Sequence, residues 1–276
     1  MPRYTLSRSI RRTLLACAVA VMTAPGGVGD PAVVAGQGTD LSELIRAAER
    51  GGPEAQYNLG VVYANGMGVE PDMDEAIKWY RRAADQDHPA AAFVLGLVMS
   101  RGDGVPRDEA AAVTWYRRAA QLGHVMAQNN LAFMYVTGRG VSQDKLEAVK
   151  WYTEAAGQGH PTAQFNLGLM FANGDAGVHD DAQAVRWYRR AAQQGVMAAQ
   201  SNLGLMYESG QGVPQDPRRA YLWLSVAAYG GPADSDSARD RDRVAAVLTS
   251  EERSDADMLL ASCLETELRE CGEPAE

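Results

Sequence analysis

The sequence predicts an all-α fold: a right-handed α-solenoid of five helix-turn-helix repeats, with an N-terminal half-repeat and a C-terminal helical cap. Three observations predict it. Leu59, Leu95, Leu131, Leu167 and Leu203 recur every 36 residues without a slip, and so do Trp79, Trp115, Trp151, Trp187 and Trp223, which are all the tryptophans of the chain. One column is glycine in every copy (Gly66, Gly102, Gly138, Gly174, Gly210), and another is aspartate (Asp72, Asp108, Asp144, Asp180, Asp216). A unit of this size cannot bury its own apolar face, so it must stack on its neighbours.

Residues 1–24 read as an export signal. Arg3, Arg8, Arg11 and Arg12 precede an uncharged run from Leu14 to Ala24 that is too short to span a bilayer. Cleavage is expected after Ala24. The Arg11-Arg12 pair leaves a twin-arginine signal open, and Leu14-Leu15-Ala16 before Cys17 leaves a lipoprotein box open. The apolar run lies mostly after Cys17, which favours ordinary cleavage. Residues 25–38, with five glycines and two prolines, form a flexible linker. Residues 39–52 form the half-repeat: Ala47 and Ala48 stand 36 residues before Ala83 and Ala84. Its charged Glu43, Arg46, Glu49 and Arg50 suit a helix that covers the first exposed face.

The repeats span 53–88, 89–124, 125–160, 161–195 and 196–231. In the first helix of each, residues equivalent to Ala55, Leu59 and Tyr63 are four apart and share a face. The glycine equivalent to Gly66 ends that helix in a left-handed cap. Asp72 and its equivalents accept from the first free amides of the second helix, with Glu75 and Glu147 in capping-box position. The second helix presents Ala76, Trp79, Tyr80, Ala83 and Ala84, with the tryptophan rings expected between layers, and later copies stop at Gly123, Gly159, Gly195 and Gly231.

Residues 232–276 read as a cap of two helices, Asp236 to Leu248 and Ser250 to about Glu267, with Ser250 as N-cap. Val244, Val247, Leu248, Met258, Leu259 and Leu264 supply their apolar stripes. Cys263 and Cys271 are eight residues apart, which on a continuous helix is about 12 Å and beyond disulfide reach. If the helix ends near Glu267 the chain can turn back, and an oxidising compartment then favours a bridge over two free thiols.

The pattern A-x-x-x-L-G-x-x-Y, G-x-G-V, D-x-x-x-A-x-x-W-Y-x-x-A-A-x-x-G closely resembles that of the Sel-one-like repeat (SLR) family, a relative of the tetratricopeptide repeats, over Leu41 to Gly231. The resemblance implies an adaptor or scaffold rather than an enzyme. Two departures are local: Ala132 replaces the glycine of the Leu-Gly pair, and repeat four reads Gly174-Asp175-Ala176-Gly177-Val178 before Asp180.

Loss of residues 1–24 removes four arginines and no acids, moving the net charge from −9 to −13. An acidic chain of this kind is a poor match for nucleic acid or anionic lipid. No transmembrane segment, cofactor or metal is expected, and the chain is read as a monomer. His88, His124 and His160 share one repeat position, but equivalent points of stacked helix pairs lie about 10 Å apart, too far to share an ion. They are read as joint residues. His179 stands near Asp175, Asp180 and Asp181, where a solvated loop is favoured over a weak cation site. Ser142-Gln143-Asp144-Lys145 matches S-x-x-K, but it falls on a repeat's loop and N-cap and has no S-D-N or K-T-G partner.

The remaining face of the first helices is the candidate binding wall, on the concave side. Column 57 gives Tyr57, Phe93, Asn129, Phe165 and Ser201; column 61 gives Val61, Leu97, Phe133, Leu169 and Leu205. Column 58 gives Asn58, Asn130, Asn166 and Asn202, broken by Val94. Asparagines at such positions in tetratricopeptide relatives hydrogen-bond a ligand backbone, so the resemblance implies the same for these. The competing reading is that the asparagines bond neighbouring helices and the aromatics are partly buried. The expected function is an exported, non-catalytic scaffold or adaptor that binds a protein or extended peptide. The alternatives are an envelope hydrolase or β-lactam-binding enzyme, or a cell-wall or glycan-binding adaptor.

Overall fold

The computed structural model describes residues 40–177, 179–229, 235–266, Leu268 and Cys271. The expected signal, cleavage site and linker of residues 1–38, the end of repeat five at Gly231 and the start of the cap at residue 232 lie outside the described residues. Thirteen α-helices and no strand occur among the described residues, an all-α solenoid of consecutive helix pairs. They divide into two compact units at His160 and Pro161.

The first unit begins with α1 (Leu41–Glu49), the half-repeat, whose Leu44 and Ala48 are buried. Three pairs follow: α2 (Pro53–Asn65) with α3 (Met73–Asp85), α4 (Pro89–Arg101) with α5 (Glu109–Gln121), and α6 (Val125–Thr137) with α7 (Lys145–Gly157). The second unit holds α8 (Pro161–Asn173) with α9 (Asp181–Gln193) and α10 (Met197–Ser209) with α11 (Pro217–Ala228). Its cap is α12 (Asp236–Ala245) and α13 (Ser250–Glu265).

Local chemistry sets each boundary. Proline at the first position of α2, α4, α8 and α11 has a fixed φ already suited to a helix and no N–H to leave unbonded. The carboxylates of Asp72, Asp108, Asp144 and Asp180 each accept from the amide three residues on. The capping boxes expected at Glu75 and Glu147 are only half formed, because those carboxylates turn to Lys78 and Lys150. In the cap the N-cap is Thr249 rather than Ser250, since Thr249 can make both bonds of a capping box with Glu252.

Packing explains the repeat signature and corrects one part of it. Tyr80, Tyr116 and Tyr188 lie flat on the preceding helix: a Cβ at Gly60, Gly96 or Gly168 would come within 2.6, 2.5 or 2.8 Å of the ring. In these three repeats the glycine of the Leu-Gly pair admits a tyrosine; at Gly204 the close neighbour is Leu224, and in repeat three Ala132 takes the position. The tryptophans beside the tyrosines are less central than expected. Trp223 is fully buried and Trp79 nearly so, but Trp115, Trp151 and Trp187 are half-buried. Arg118 and Arg190 lie over the rings of Trp115 and Trp187, and Trp151 donates its indole N–H to Glu147 at 3.0 Å. A ring with one wet face gains from a cation or carboxylate at its edge.

Buried amides tie helix to helix. Gln56, Gln128 and Gln200 each donate to a carbonyl eight residues earlier, at 3.1–3.2 Å (Ala48, Ala120, Ala192). Gln86, Gln158 and Gln194 donate in turn to Gln56, Gln128 and Gln164.

In the cap, Val244, Ala256 and Cys263 are buried, while Val247 and Met258 are exposed and Leu259 borders on exposed. The expected apolar stripe is thus only partly core. Cys263 and Cys271 form a disulfide, the chain turning back after Glu265 as Leu268 donates its N–H to the Cys263 carbonyl. No described helix is long and apolar enough to cross a membrane.

Candidate functional site

The candidate wall divides by burial. Tyr57, Asn58, Val61, Phe93, Asn130 and Phe165 are buried within their own units and belong to the core rather than to a wall. The physical reason lies at the joints. His88 and His124 cap α4 and α6, their Nδ1 atoms accepting from the N–H groups of Ala91 and Ala127. Tyr57 and Phe93 stack on those imidazoles at 4.8 and 4.4 Å, so these two rings cover the joint histidines. With Nδ1 accepting, the His88 ring carries its proton on Nε2 and donates it to Glu54 at 2.9 Å. Burial pushes the His124 imidazole down to about 4, against a backbone hydrogen bond that raises it. Of column 58, Asn130 and Asn202 hydrogen-bond the Tyr116 and Tyr188 hydroxyls of the preceding repeat.

Leu97, Phe133, Asn166, Leu169, Asn202 and Leu205 are half-buried and reach the surface. Three of them, Leu169, Asn202 and Leu205, meet in a cavity of about 180 Å³ in the second unit. Helices α8 and α10 supply an apolar floor of Leu169, Ala172, Leu205 and Met206. Tyr188 and the amides of Asn173, Asn202 and Gln211 also line the cavity. His179 and Asp181 complete the lining, with Nε2 3.5 Å from Oδ2. Gly212 seats this arrangement, since a Cβ there would fall 2.3 Å from the Asp181 backbone; the loop after α10 can rest on the start of α9 only because it carries no side chain. The sequence reading missed Asn173 and Gln211 as site residues and took His179 and Asp181 as an exposed loop.

The same positions two repeats upstream are furnished differently. There Glu109 is gripped by Arg107 and by Arg139, whose Nε and Nη2 donate to one carboxylate oxygen at 3.0 and 2.6 Å. Gly140 seats that loop on Glu109 as Gly212 does on Asp181, with 2.2 Å to the carbonyl oxygen. Hydrogen bonds from Arg139 and then Arg107 hold the Glu109 carboxyl below the ordinary glutamate range. Burial raises both ring hydroxyls, but the charges of Arg101 and Arg139 oppose it at Tyr116, whereas Asp181 adds to it at Tyr188. The local field has opposite sign at the two places.

No group of three or more His, Cys, Asp or Glu among the described residues is placed to hold a metal ion. In the S-x-x-K stretch Asp144 is the N-cap of α7, accepting from Glu147 N–H at 3.0 Å, and Ser142 is exposed on the loop before it.

The family model described as Sel1 repeat matches residues 53–88, 89–124, 125–160, 161–196 and 198–232. Among solved structures, the chain is similar to a Sel1 repeat protein from Oxalobacter formigenes: 34% identity over 70% of this chain and 79% of that one, TM-score 0.65. It is also similar to a protective antigen of uropathogenic Escherichia coli strains that displays an SLR fold: 35% identity over 86% of this chain, TM-score 0.67. The match spans 54% of the antigen's length. No curated protein matches the chain.

Proposed function

The chain belongs to the Sel1 repeat family, whose members are generally protein-interaction scaffolds, and from that premise we propose that it is an exported, non-catalytic scaffold that holds a protein or peptide on its first-helix wall. The observation that carries this reading is the cavity of repeats four and five, lined by an apolar floor and three amides. Apolar surface supplies affinity, and fixed amides can pair with the backbone of an extended segment. Export is supported by the arginine-led apolar run of residues 1–24 and by the Cys263–Cys271 bridge, which suits an oxidising compartment.

The experiment is capture of a partner from an envelope extract on the mature chain, followed by titration of that partner against Leu205→Ser and Leu169→Ser. Loss of at least about 2 kcal/mol of binding with an unchanged thermal midpoint is expected if these residues are hot spots. Retained affinity in both variants would remove the partner from this wall.

A further inference from the structure

In repeats two and three the chain fills its own site: the Arg139 guanidinium lies on the Glu109 carboxylate. In repeats four and five the carboxylate remains, as Asp181, but Gln211 stands where the arginine was. We propose that the cavity beside Asp181 binds the guanidinium of an arginine side chain, presented by an extended segment of the partner, in the place Arg139 takes beside Glu109. That the arginine arrives on a protein rests on the scaffold reading above; the chemistry of the cavity does not.

Four observations carry the assignment. The two places share a register, because Gly140 on Glu109 and Gly212 on Asp181 make the same close backbone approach. Room has been made: aspartate is one methylene shorter than glutamate, and Leu205 replaces the larger Phe133. Among the lining residues only Asp181 and His179 can be charged, and histidine is charged only when protonated, so the fixed charge is negative. The lining also suits both ends of the ligand. Leu169 and Leu205 can cover methylenes, while the side-chain carbonyls of Asn173, Asn202 and Gln211 can accept the N–H groups that the carboxylate leaves over. A guanidinium offers five donors in one plane, which an ammonium does not.

The test is an NMR titration of the exported full chain with three probes: N-acetyl-arginine amide, N-acetyl-lysine amide and the uncharged isostere N-acetyl-citrulline amide. The expected result is saturable shifts at Asp181, His179, Gln211 and Leu205 with the arginine probe, at least tenfold tighter than with citrulline. Asp181→Asn should lose at least tenfold; Asp180, the α9 cap, is left in place. Gln211→Arg should abolish the titration with the fold intact, because it supplies from within the group that Arg139 supplies upstream. Equal binding of the lysine probe, indifference to Asp181→Asn, or no shifts at these residues would each overturn the guanidinium assignment. Loss of captured partner on Leu205→Ser without any arginine binding would overturn it and leave the scaffold standing. Arginine binding blocked by Gln211→Arg, with partner affinity unchanged, would keep the guanidinium site and remove the partner from it.

Discussion

Repeats two and three carry Arg107, Glu109, Phe133 and Arg139 where repeats four and five carry His179, Asp181, Leu205 and Gln211. The supports beneath them are alike: Tyr116 on Gly96 and Tyr188 on Gly168, Gly140 on Glu109 and Gly212 on Asp181. One set ties the array to itself through an ion pair; the other leaves a carboxylate and three amides around a cavity. In a tandem repeat the columns that never vary hold the layers together. The columns that break are where one repeat can acquire a task the others lack.

The heaviest test of this comparison concerns the shared support. Tyr116→Ala and Tyr188→Ala each remove a ring that is almost wholly buried, and each should cost about 3–5 kcal/mol in denaturant unfolding. Trp151→Ala, whose ring is half-buried, should cost well under that. If Trp151→Ala proved the worst of the three, the tyrosine would not be the common support.

The joints give the next largest effect. His124 holds its imidazole at about 4 against 6.5 in an unfolded chain, so between those values the unfolded state binds a proton that the folded state refuses. Stability should therefore be full above pH 6.5 and fall as the pH drops toward 4. The loss is on the order of 2 kcal/mol, trimmed by the solvent that reaches the ring. Protonation at Nδ1 also removes the acceptor for the Ala127 N–H. His124→Val, copying Val196 at the corresponding joint, should flatten the acid limb of melts run from pH 7 to 4.

Smaller effects attend exchanging the two furnishings. Arg139→Gln should let the Glu109 carboxyl rise toward its ordinary value, visible by NMR titration, and cost up to about 1 kcal/mol. Because that carboxyl is held low only in the folded state, its contribution is present above pH 4.5 and fades as the pH falls. Gln211→Arg should raise the thermal midpoint by at most the equivalent of about 1 kcal/mol. A loss of stability instead would mean the two sites do not share a geometry.

The period, the helix pairs, the glycine caps and the aspartate N-caps were all legible in the sequence, because each is set by local backbone chemistry and repeated five times over. Depth was harder to read. Trp79 and Tyr80 are neighbours on one helix, and nothing in the spacing says which ring goes under the next layer; the glycines at 60, 96 and 168 were the clue, since a Cβ at each would meet a tyrosine ring. Column 57 pointed outward by helical phase, yet Phe93 is covered because His124, 31 residues later, folds over it. The cavity was the least legible. Leu169, Asn202 and Leu205 stood out as wall positions, but Asp181 and Gln211 show their meaning only beside Glu109 and Arg139.

One break in the amide ladder has a different consequence. Repeat two places Ala92 and Leu122 where its neighbours place paired glutamines, so its joint with repeat one lacks that interior tie. What crosses there instead is Arg118, reaching Asp87 at 3.1 Å and Asp85 at 3.5 Å on the surface. A buried amide bond is indifferent to dissolved ions, whereas an exposed ion pair weakens once the screening length falls to about 3 Å at molar salt. Ionic strength thus acts unevenly along the array, and amide exchange in high salt should quicken first at the start of α4.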